Sequence, residues 1–231
     1  MRVTSMVQDR TAVKTRIILA TIECIEKDGY NAVTTRNVAQ AAGVNNAAIN
    51  YYFGSKDNLL EETFTFTLSH FFVDLKEILK DHDLNAYCLL KVFLAFLLQG
   101  FVNYPNMVRT YFLVPAVFQK YGRSFLRQFE QFLETVARRI QKENAALTEK
   151  EIRLSLLQIV SAVLSLCLPL DFFHGFSGID PKDPVMQMVY IDHLLTRYLN
   201  WVNPHDIQKD EQKTAQLLAK IKNTQVFDRP D

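Results

Sequence analysis

Hydrophobic positions recur every three to four residues along most of this chain, which is typical of amphipathic helices. Alternation with a period of two, which indicates strands, is nearly absent. The pattern predicts helices at 10–28, from Ser55 to about residue 80, and at 84–101, 105–119, 122–145, 148–173, 184–202 and 205–222. Pro105 suits a helix start, while Gly122 and residues 175–184 interrupt the pattern. We therefore expect an all-α fold.

Residues 34–60, TTRNVAQAAGVNNAAINYYFGSKDNLL, predict two short helices, a tight turn between them and the start of a long helix. Thr34 or Thr35 can cap the first short helix. Gly43 ends that helix, because glycine adopts a positive φ without steric cost. Asn45 or Asn46 can cap the second short helix in the same way as a threonine.

The second short helix has one apolar face and one outward face without charge. Residues at i, i+3 and i+4 share the apolar face, and they are Ile49, Tyr52 and Phe53. The outward face carries Asn46, Ala47, Asn50 and Tyr51. So short a helix is not stable alone, and its outward face suits contact with bases and sugar-phosphate. This order is typical of a helix-turn-helix motif, whose second helix lies in the major groove.

From about Arg10 to Leu60 the chain resembles the N-terminal domain of the TetR family of transcriptional regulators. The glycine turn, the pair Tyr52-Phe53 and the following Ser55-Lys56 carry this resemblance. It implies a three-helix DNA-binding domain at 1–60 and a larger helical domain at 61–231 for effector binding and dimerisation. The family more often has tyrosine at the position of Asn50, so we expect a different base to be read there.

We expect the chain to bind a double-stranded DNA operator through the second short helix. Asn50 is predicted to read an adenine edge, Ala47 to contact a thymine methyl group and Asn46 to contact a further base. The side chains predicted to fix the register on phosphates are Thr35, Arg36, Tyr51 and Lys56.

The net charge of this chain is small, but basic residues are concentrated near its first helix. The formal net charge is +1, which by itself says nothing for nucleic acid, and 231 residues with 48% hydrophobic content can bury a full core. Basic residues nevertheless precede or open the first helix, and they are Arg2, Arg10, Lys14 and Arg16. The alternative for Arg2 and Arg10 is a disordered tail.

The cysteines and the most apolar stretch both indicate core. Cys24, Cys88 and Cys167 lie scattered in apolar runs, so we expect buried thiols and neither disulfides nor a zinc site. Residues 154–173 approach the length of a membrane span, but Gln158, three serines and Pro169 interrupt them. A buried or interface helix is favoured there. No secretion signal is recognisable, and we expect a cytoplasmic protein with no membrane partner.

The hydrophobic pattern of two segments indicates that the chain forms an oligomer. Residues 151–170 and 184–202 are apolar around much of their circumference, so each must be covered on more than one side. The TetR resemblance implies that these helices form a four-helix bundle across a dimer axis. The alternative is a monomer with both helices in its core. A homodimer is favoured, because reading a palindrome requires two recognition helices.

Aromatic residues are concentrated between residues 93 and 132. The resemblance implies that they line a cavity for a small apolar or aromatic effector, and ordinary core is the alternative. Polar residues among apolar ones are candidates for orienting the ligand. Arg109 could pair with an acidic effector, make a salt bridge or lie at the surface. The candidate effector residues are Phe93, Phe96, Gln99, Arg109, Phe129, Gln158 and His174.

The resulting hypothesis is a homodimeric repressor that an effector releases from a palindromic operator. Asp171 and His174 have the i, i+3 spacing of di-iron bundles, but no second copy of that spacing follows. Because no HExxH, phosphate loop or nucleophile elbow is present either, we expect no catalytic residue, metal site or cofactor. One alternative is a helical ligand-binding or adaptor protein without sequence-specific DNA binding. A helical metalloenzyme is a less favoured one.

Overall fold

The computed structural model describes residues 2–79, 84–166, 175–180 and 182–223. Its regular elements within these ranges are all helical, which confirms the all-α prediction. They are α1 (Arg2–Asp28), α2 (Thr35–Ala41), α3 (Asn46–Phe53), α4 (Lys56–Leu79), α5 (Ala86–Asn103), α6 (Pro105–Leu113), α7 (Pro115–Val117), α8 (Arg123–Glu143), α9 (Glu149–Ser165), α10 (Pro184–Tyr198) and α11 (Pro204–Asn223). A 3₁₀ turn, Tyr30–Ala32, precedes α2, and a π-helix, Phe118–Gly122, leads into α8.

The chain forms two compact units. The described part of the first unit comprises residues up to Phe71 together with Asn106–Gly122. The second unit comprises Phe72–Pro105 and the described chain from Arg123 onwards. The border between them falls within α4, which is one uninterrupted helix from Lys56 to Leu79. The division of roles at residue 60 stays a prediction, since these units reflect packing alone.

Several helix boundaries differ from the sequence predictions. α1 begins at Arg2 instead of residue 10, since no glycine or proline interrupts the chain before Asp28. The helix predicted at 105–119 is broken at Val114, whose φ of −95° and ψ of 106° are extended. Pro115 explains the break, because a proline ring disfavours the helical conformation of the residue before it.

The predicted interruption at Gly122 was wrong, since the π-helix runs through this glycine into α8. A single helical glycine costs only about 1 kcal/mol, which packing readily offsets. α9 ends at Ser165, and the remainder of the predicted helix at 148–173 falls largely outside the described residues. α10 ends at Tyr198, four residues earlier than predicted.

The first unit has its core between α1, α2, α3 and α4. The side chains with no exposed surface include Ile17, Ile25, Val33, Val38, Ile49, Leu59 and Phe64. Cys24 is buried there, as expected. Burial of this apolar set gives α2 and α3 the stability that helices of seven and eight residues lack alone.

The start of α6 is fixed within the first unit by Glu26 of α1. Its carboxylate accepts hydrogen bonds from the backbone N–H groups of Asn106 at 3.1 Å and Met107 at 2.6 Å. The Asn106 side chain in turn donates to the Glu26 carbonyl at 2.7 Å. Burial raises the pKa of the Glu26 carboxyl, against the opposing effect of these N–H donors. A glutamate thus caps a helix that begins about 80 residues later.

The second unit is built around α5. Thirteen of its eighteen residues are buried, so the helix is covered on nearly all sides. α5 packs against α8, α9, α10 and α11. Cys88 is buried on it, and Cys167 lies outside the described residues. Lys91 and Tyr87 of α5 both bind Asp192 of α10, at 2.6 and 3.1 Å respectively. Burial raises the pKa of Tyr87 to about 12.

Among the helices that the structure describes, α5 is the one whose length and composition would suit a membrane span. Its eighteen residues have a mean hydropathy of 1.6, and thirteen of them are buried inside the protein. The sequence had drawn attention to 154–173 instead. A helix at the centre of a core needs apolar residues on nearly all sides. Such a helix has the hydropathy of a membrane span without crossing a membrane.

Candidate nucleic-acid interface

α2 and the turn after it are held by local hydrogen bonds. Of the two possible caps the structure selects Thr34, whose hydroxyl accepts from the N–H of Asn37 at 3.2 Å. The Asn37 side chain accepts from the N–H of Thr34 at 2.8 Å, which completes a capping box. Gly43 has a φ of +64°, and the N–H of Val44 donates to Ala39 at 2.9 Å. This closing pattern gives a sharp turn into α3.

Asn45 caps the start of α3. The side chain of Asn45 accepts from the N–H of Ala48 at 2.8 Å. Asn45 is therefore the cap and Asn46 is the first residue of the helix. Ile49 and Phe53 are buried, and Tyr52 is half-buried. One side of α3 is thereby fixed to the first unit, as predicted from the i, i+3, i+4 pattern.

The opposite side of α3 is exposed. It consists of Asn46, Ala47, Asn50 and Tyr51, and the last of these has 63% of its surface accessible. On α2, Arg36 is exposed and Thr35 is half-buried. Thr35 is the first helical residue after the cap, where backbone N–H groups without helical partners favour an anion.

Lys56 lies at the start of α4. Gly54 has a φ of +75°, which ends α3, and the Ser55 hydroxyl accepts from the N–H of Asn58 at 3.1 Å. Ser55 thus caps the start of α4. The Asn58 side chain also donates to the Phe53 carbonyl at 3.0 Å, which links the end of α3 to the start of α4. Lys56 is half-buried there.

The basic residues of α1 take different positions. The guanidinium of Arg10 lies 5.4 Å from the ring centre of Tyr51, within range of a cation–π contact. Lys14 lies 5.5 Å from the ring centre of Phe53 and 2.5 Å from a carboxylate oxygen of Glu62. Arg10 is thus part of α1 and lies beside the exposed face of α3, a position that the sequence pattern did not assign to it.

Residues 17–63, which include α2, α3 and the start of α4, match the family model of bacterial regulatory proteins of the tetR family. This part of the chain is thus similar to the N-terminal domain of TetR-family regulators. This confirms the resemblance seen from the glycine turn to Lys56.

Relatives of the chain include HTH-type transcriptional regulators. The regulator BetI of Vibrio campbellii is 34% identical over 74 residues, which cover 32% of this chain and 37% of that protein. BetI of Serratia proteamaculans is 34% identical over 71 residues, or 29% of this chain and 36% of its own. BetI of Vibrio parahaemolyticus is 40% identical over 50 residues, or 22% and 25%. The matches thus span little more than a third of these relatives at most.

A likeness over most of the chain is found in the crystal structure of AmtR from Mycobacterium smegmatis. The TM-score is 0.54, with 90% of this chain and 93% of that chain covered, at 16% sequence identity. At this identity the likeness establishes a shared fold. The relatives of the TetR-type domain are regulators, in agreement with the expectation that the chain is not an enzyme.

The candidate effector residues do not all lie together. Phe93 and Phe129 pack in the second unit with ring centres 5.6 Å apart, and Phe96 is buried on the same helix as Phe93. Gln99 of α5 is half-buried, whereas Gln158 is exposed on α9.

Arg109 belongs to the first unit, near enough to Glu26 to lower the pKa of that carboxyl against the effect of burial. His174, with Asp171, lies outside the described residues. Among the residues that the structure describes, no three His, Cys, Asp or Glu side chains form a group able to hold a metal ion.

Proposed function

We propose that this chain is a DNA-binding transcriptional regulator that places α3 in the major groove of its operator. The observation that carries the proposal is the exposed, uncharged face of α3 in a TetR-type domain. Burial of Ile49 and Phe53 fixes the helix from behind, so its outward side chains need little ordering on binding. Regulators of this family are generally cytoplasmic, and we place this one there too.

In this proposal the outward residues divide into base and phosphate contacts. Asn50 accepts and donates to an adenine edge, Ala47 contacts a thymine methyl group and Asn46 contacts a further base. Thr35, Arg36, Tyr51 and Lys56 bind phosphates. Because the Asn45 amide oxygen caps α3, the asparagines available for bases are Asn46 and Asn50. The position of Arg10 supports the phosphate role of Tyr51, since the positive charge of Arg10 lies beside the Tyr51 ring.

The regulator is proposed to act as a homodimer through residues 151–170 and 184–202. In the described part of these segments, Leu154 and Leu157 of α9 are 48% and 60% exposed. Val185 and Val189 of α10 are 65% and 54% exposed. The two helices touch within the second unit, where the Tyr190 hydroxyl donates to the Ala162 carbonyl at 2.9 Å. Large aliphatic side chains exposed on adjoining helices favour a partner that covers them.

We further propose that the regulator is a repressor controlled by a small apolar or aromatic effector. The aromatic group of Phe93, Phe96 and Phe129, with Gln99, is its proposed binding region in the second unit. Arg109 and His174 are kept as further candidates. Gln158 lies on the exposed side of α9 with Leu154 and Leu157, which favours a place in the dimer interface. An effector that prefers a state with altered separation of the recognition helices would release the operator.

Selection of bound fragments from genomic DNA tests the proposal. The wild-type protein is expected to enrich palindromic fragments whose half-sites are about 34 Å apart or a multiple of that distance. The triple variant Asn46→Ala, Asn50→Ala, Tyr51→Ala should lose this enrichment. A matched variant on exposed positions of α11, Gln208→Ala, Gln212→Ala, Gln216→Ala, should keep it. Enrichment without sequence preference, or an equal effect of both variants, would refute base reading by α3.

Oligomeric state is tested separately by light scattering. The full chain is expected to be dimeric at micromolar concentration. Leu157→Glu with Val189→Glu should shift it towards the monomer, because charged side chains are costly in an apolar interface. A monomeric wild-type protein would contradict the dimer without bearing on the DNA contact of a single domain.

A further inference from the structure

A groove of about 870 Å³ lies within the second unit, bordered by the end of α8, the start of α5 and the first turns of α11. Its volume is in the range of small-molecule sites. Five cationic side chains line it: Arg138, Arg139, Lys142, Lys209 and Lys213. Three carboxylates do so as well: Glu143, Asp206 and Asp210. Cations therefore exceed carboxylates in this groove, which is hereafter called the basic groove.

Two of these carboxylates already bind the start of α5. The carboxylate of Glu143 accepts from the N–H of Ala86 at 3.0 and 3.2 Å, and burial raises the pKa of this carboxyl. The buried Asp210 accepts from the N–H of Asn85 at 2.8 Å and from its side chain at 3.0 Å. Arg139 donates to the Leu84 carbonyl. These three side chains of the basic groove thus bind the backbone of residues 84–86 at the start of α5.

The other cations remain available to a ligand. Lys142 and Lys209 are exposed, and neither forms an ion pair with any carboxylate in the described part of the chain. The Nε of Arg138 donates to the Glu134 carbonyl at 3.3 Å, and Arg138 is exposed. Lys213 lies 3.8 Å from Asp210 at its nearest. Repulsion among cations around one volume is relieved by a multiply charged anion.

Trp201 adds an aromatic surface to the basic groove. It is the single tryptophan of the sequence, and it is half-buried where it lines the groove. Aromatic side chains of this kind stack on nucleobases irrespective of base identity, since every base has a π-face. Lysine and arginine are the usual partners of phosphate groups. A phosphate-bearing ligand with a planar ring satisfies both features of the groove.

We propose that the basic groove binds a nucleoside di- or triphosphate, with its phosphates held by Arg138, Lys142, Lys209 and Lys213 and its base against Trp201. This site goes beyond the proposed regulatory function. It involves neither α3 nor the aromatic residues proposed for the effector, so it can be tested in the absence of DNA.

Fluorescence of Trp201 provides a direct test, because no other tryptophan contributes to the signal. The full-length protein is titrated with ATP, inorganic tripolyphosphate and adenosine at constant ionic strength. ATP is expected to give a saturable change in emission. Tripolyphosphate should bind at least about tenfold more weakly because it lacks the stacked ring. Adenosine, without charge, should give no change over the same range.

Charge-removal variants locate the binding. Lys142→Gln with Lys209→Gln is expected to weaken ATP binding at least about tenfold, since two phosphate partners are lost. The control Lys76→Gln with Lys182→Gln removes the same charge from exposed positions outside the groove and should stay within about twofold of wild type. Circular dichroism is used to confirm that both variants are folded.

Three outcomes would overturn the proposal. The first is the absence of a saturable change with ATP. The second is equal weakening by both pairs of substitutions, which would indicate a general response to net charge. The third is equal affinity for ATP and tripolyphosphate, which would remove the base from the site and with it the nucleotide assignment. None of these results would alter the DNA-selection experiment.

Discussion

Helices α3 and α5 are capped in the same way but differ in how much of each is buried. Each starts at an asparagine whose side-chain oxygen accepts from the backbone N–H three residues later, Asn45 for α3 and Asn85 for α5. α3 then buries two of its eight residues, whereas α5 buries thirteen of eighteen. The comparison shows that a cap sets where a helix begins, while burial sets which side chains remain free for a ligand.

Asn85 also differs from Asn45 in its long-range contacts. Its side chain donates to the carboxylate of Asp210 and to the carbonyl of Asp206 on α11. Asn45 makes the local bond to Ala48. α5 is thus attached to distant segments at its first turn, whereas α3 is attached mainly through Ile49 and Phe53.

Removal of a large side chain from α5 should have the strongest effect. Phe93 is fully buried, with the ring of Phe132 at 4.1 Å between centres. Phe93→Ala is expected to lower the free energy of unfolding by about 3–5 kcal/mol. Denaturation in urea followed by circular dichroism measures the loss. A change below about 1 kcal/mol would mean that α5 is not the packed scaffold described above.

The buried side of α3 should be almost as sensitive. Ile49 has no exposed surface, and Ile49→Ala is expected to cost about 2–4 kcal/mol of stability through the cavity it leaves. The adjacent Asn50→Ala, on the exposed side, should change stability by no more than about 0.5 kcal/mol. Thermal denaturation of both variants provides the comparison. Equal losses would show that α3 does not have distinct buried and exposed faces.

Substitution of the two capping asparagines compares the loss of a local hydrogen bond with the loss of long-range ones. Asn45→Ala should cost about 1 kcal/mol, the usual value of a lost cap. Asn85→Ala should cost about 2–3 kcal/mol, because it also leaves the buried Asp210 with one donor fewer. Chemical denaturation measures both, with Gln208→Ala as an exposed control. A larger loss at Asn45 would reverse the proposed difference.

Base reading by α3 predicts a change in specificity without unfolding. Asn50→Ala is expected to cost about 1–3 kcal/mol of operator binding and to relax the preference at one base pair. Sequencing of selected fragments for wild type and variant gives the profile. An unchanged profile would show that Asn50 does not read a base.

Lys56 should produce the smallest and least specific effect. Lys56→Ala is expected to weaken all DNA sequences alike and to lower the slope of log affinity against log salt by about one. Titrations at several salt concentrations measure this slope. Lys182→Ala, which removes an exposed charge from the second unit, should leave it unchanged. A sequence-dependent effect at Lys56 would contradict the phosphate role.

Features that depend on neighbouring residues could be predicted before the structure was known. Caps, the glycine at positive φ and the i, i+3, i+4 pattern act over one or two turns, so the two faces of α3 and the TetR resemblance were readable directly. Where two caps were possible, only the structure showed that Thr34 and Asn45 accept the hydrogen bonds.

Tertiary structure decided the features that join distant residues. Glu26 binds the start of α6 about 80 positions away, and five cations from α8 and α11 line one groove with Trp201. No local pattern indicates such partners, because their approach depends on how helices pack across long stretches of chain. The phenylalanines of α5 show the same limit. Their spacing indicated burial, and only packing distinguishes a filled core from the wall of a cavity.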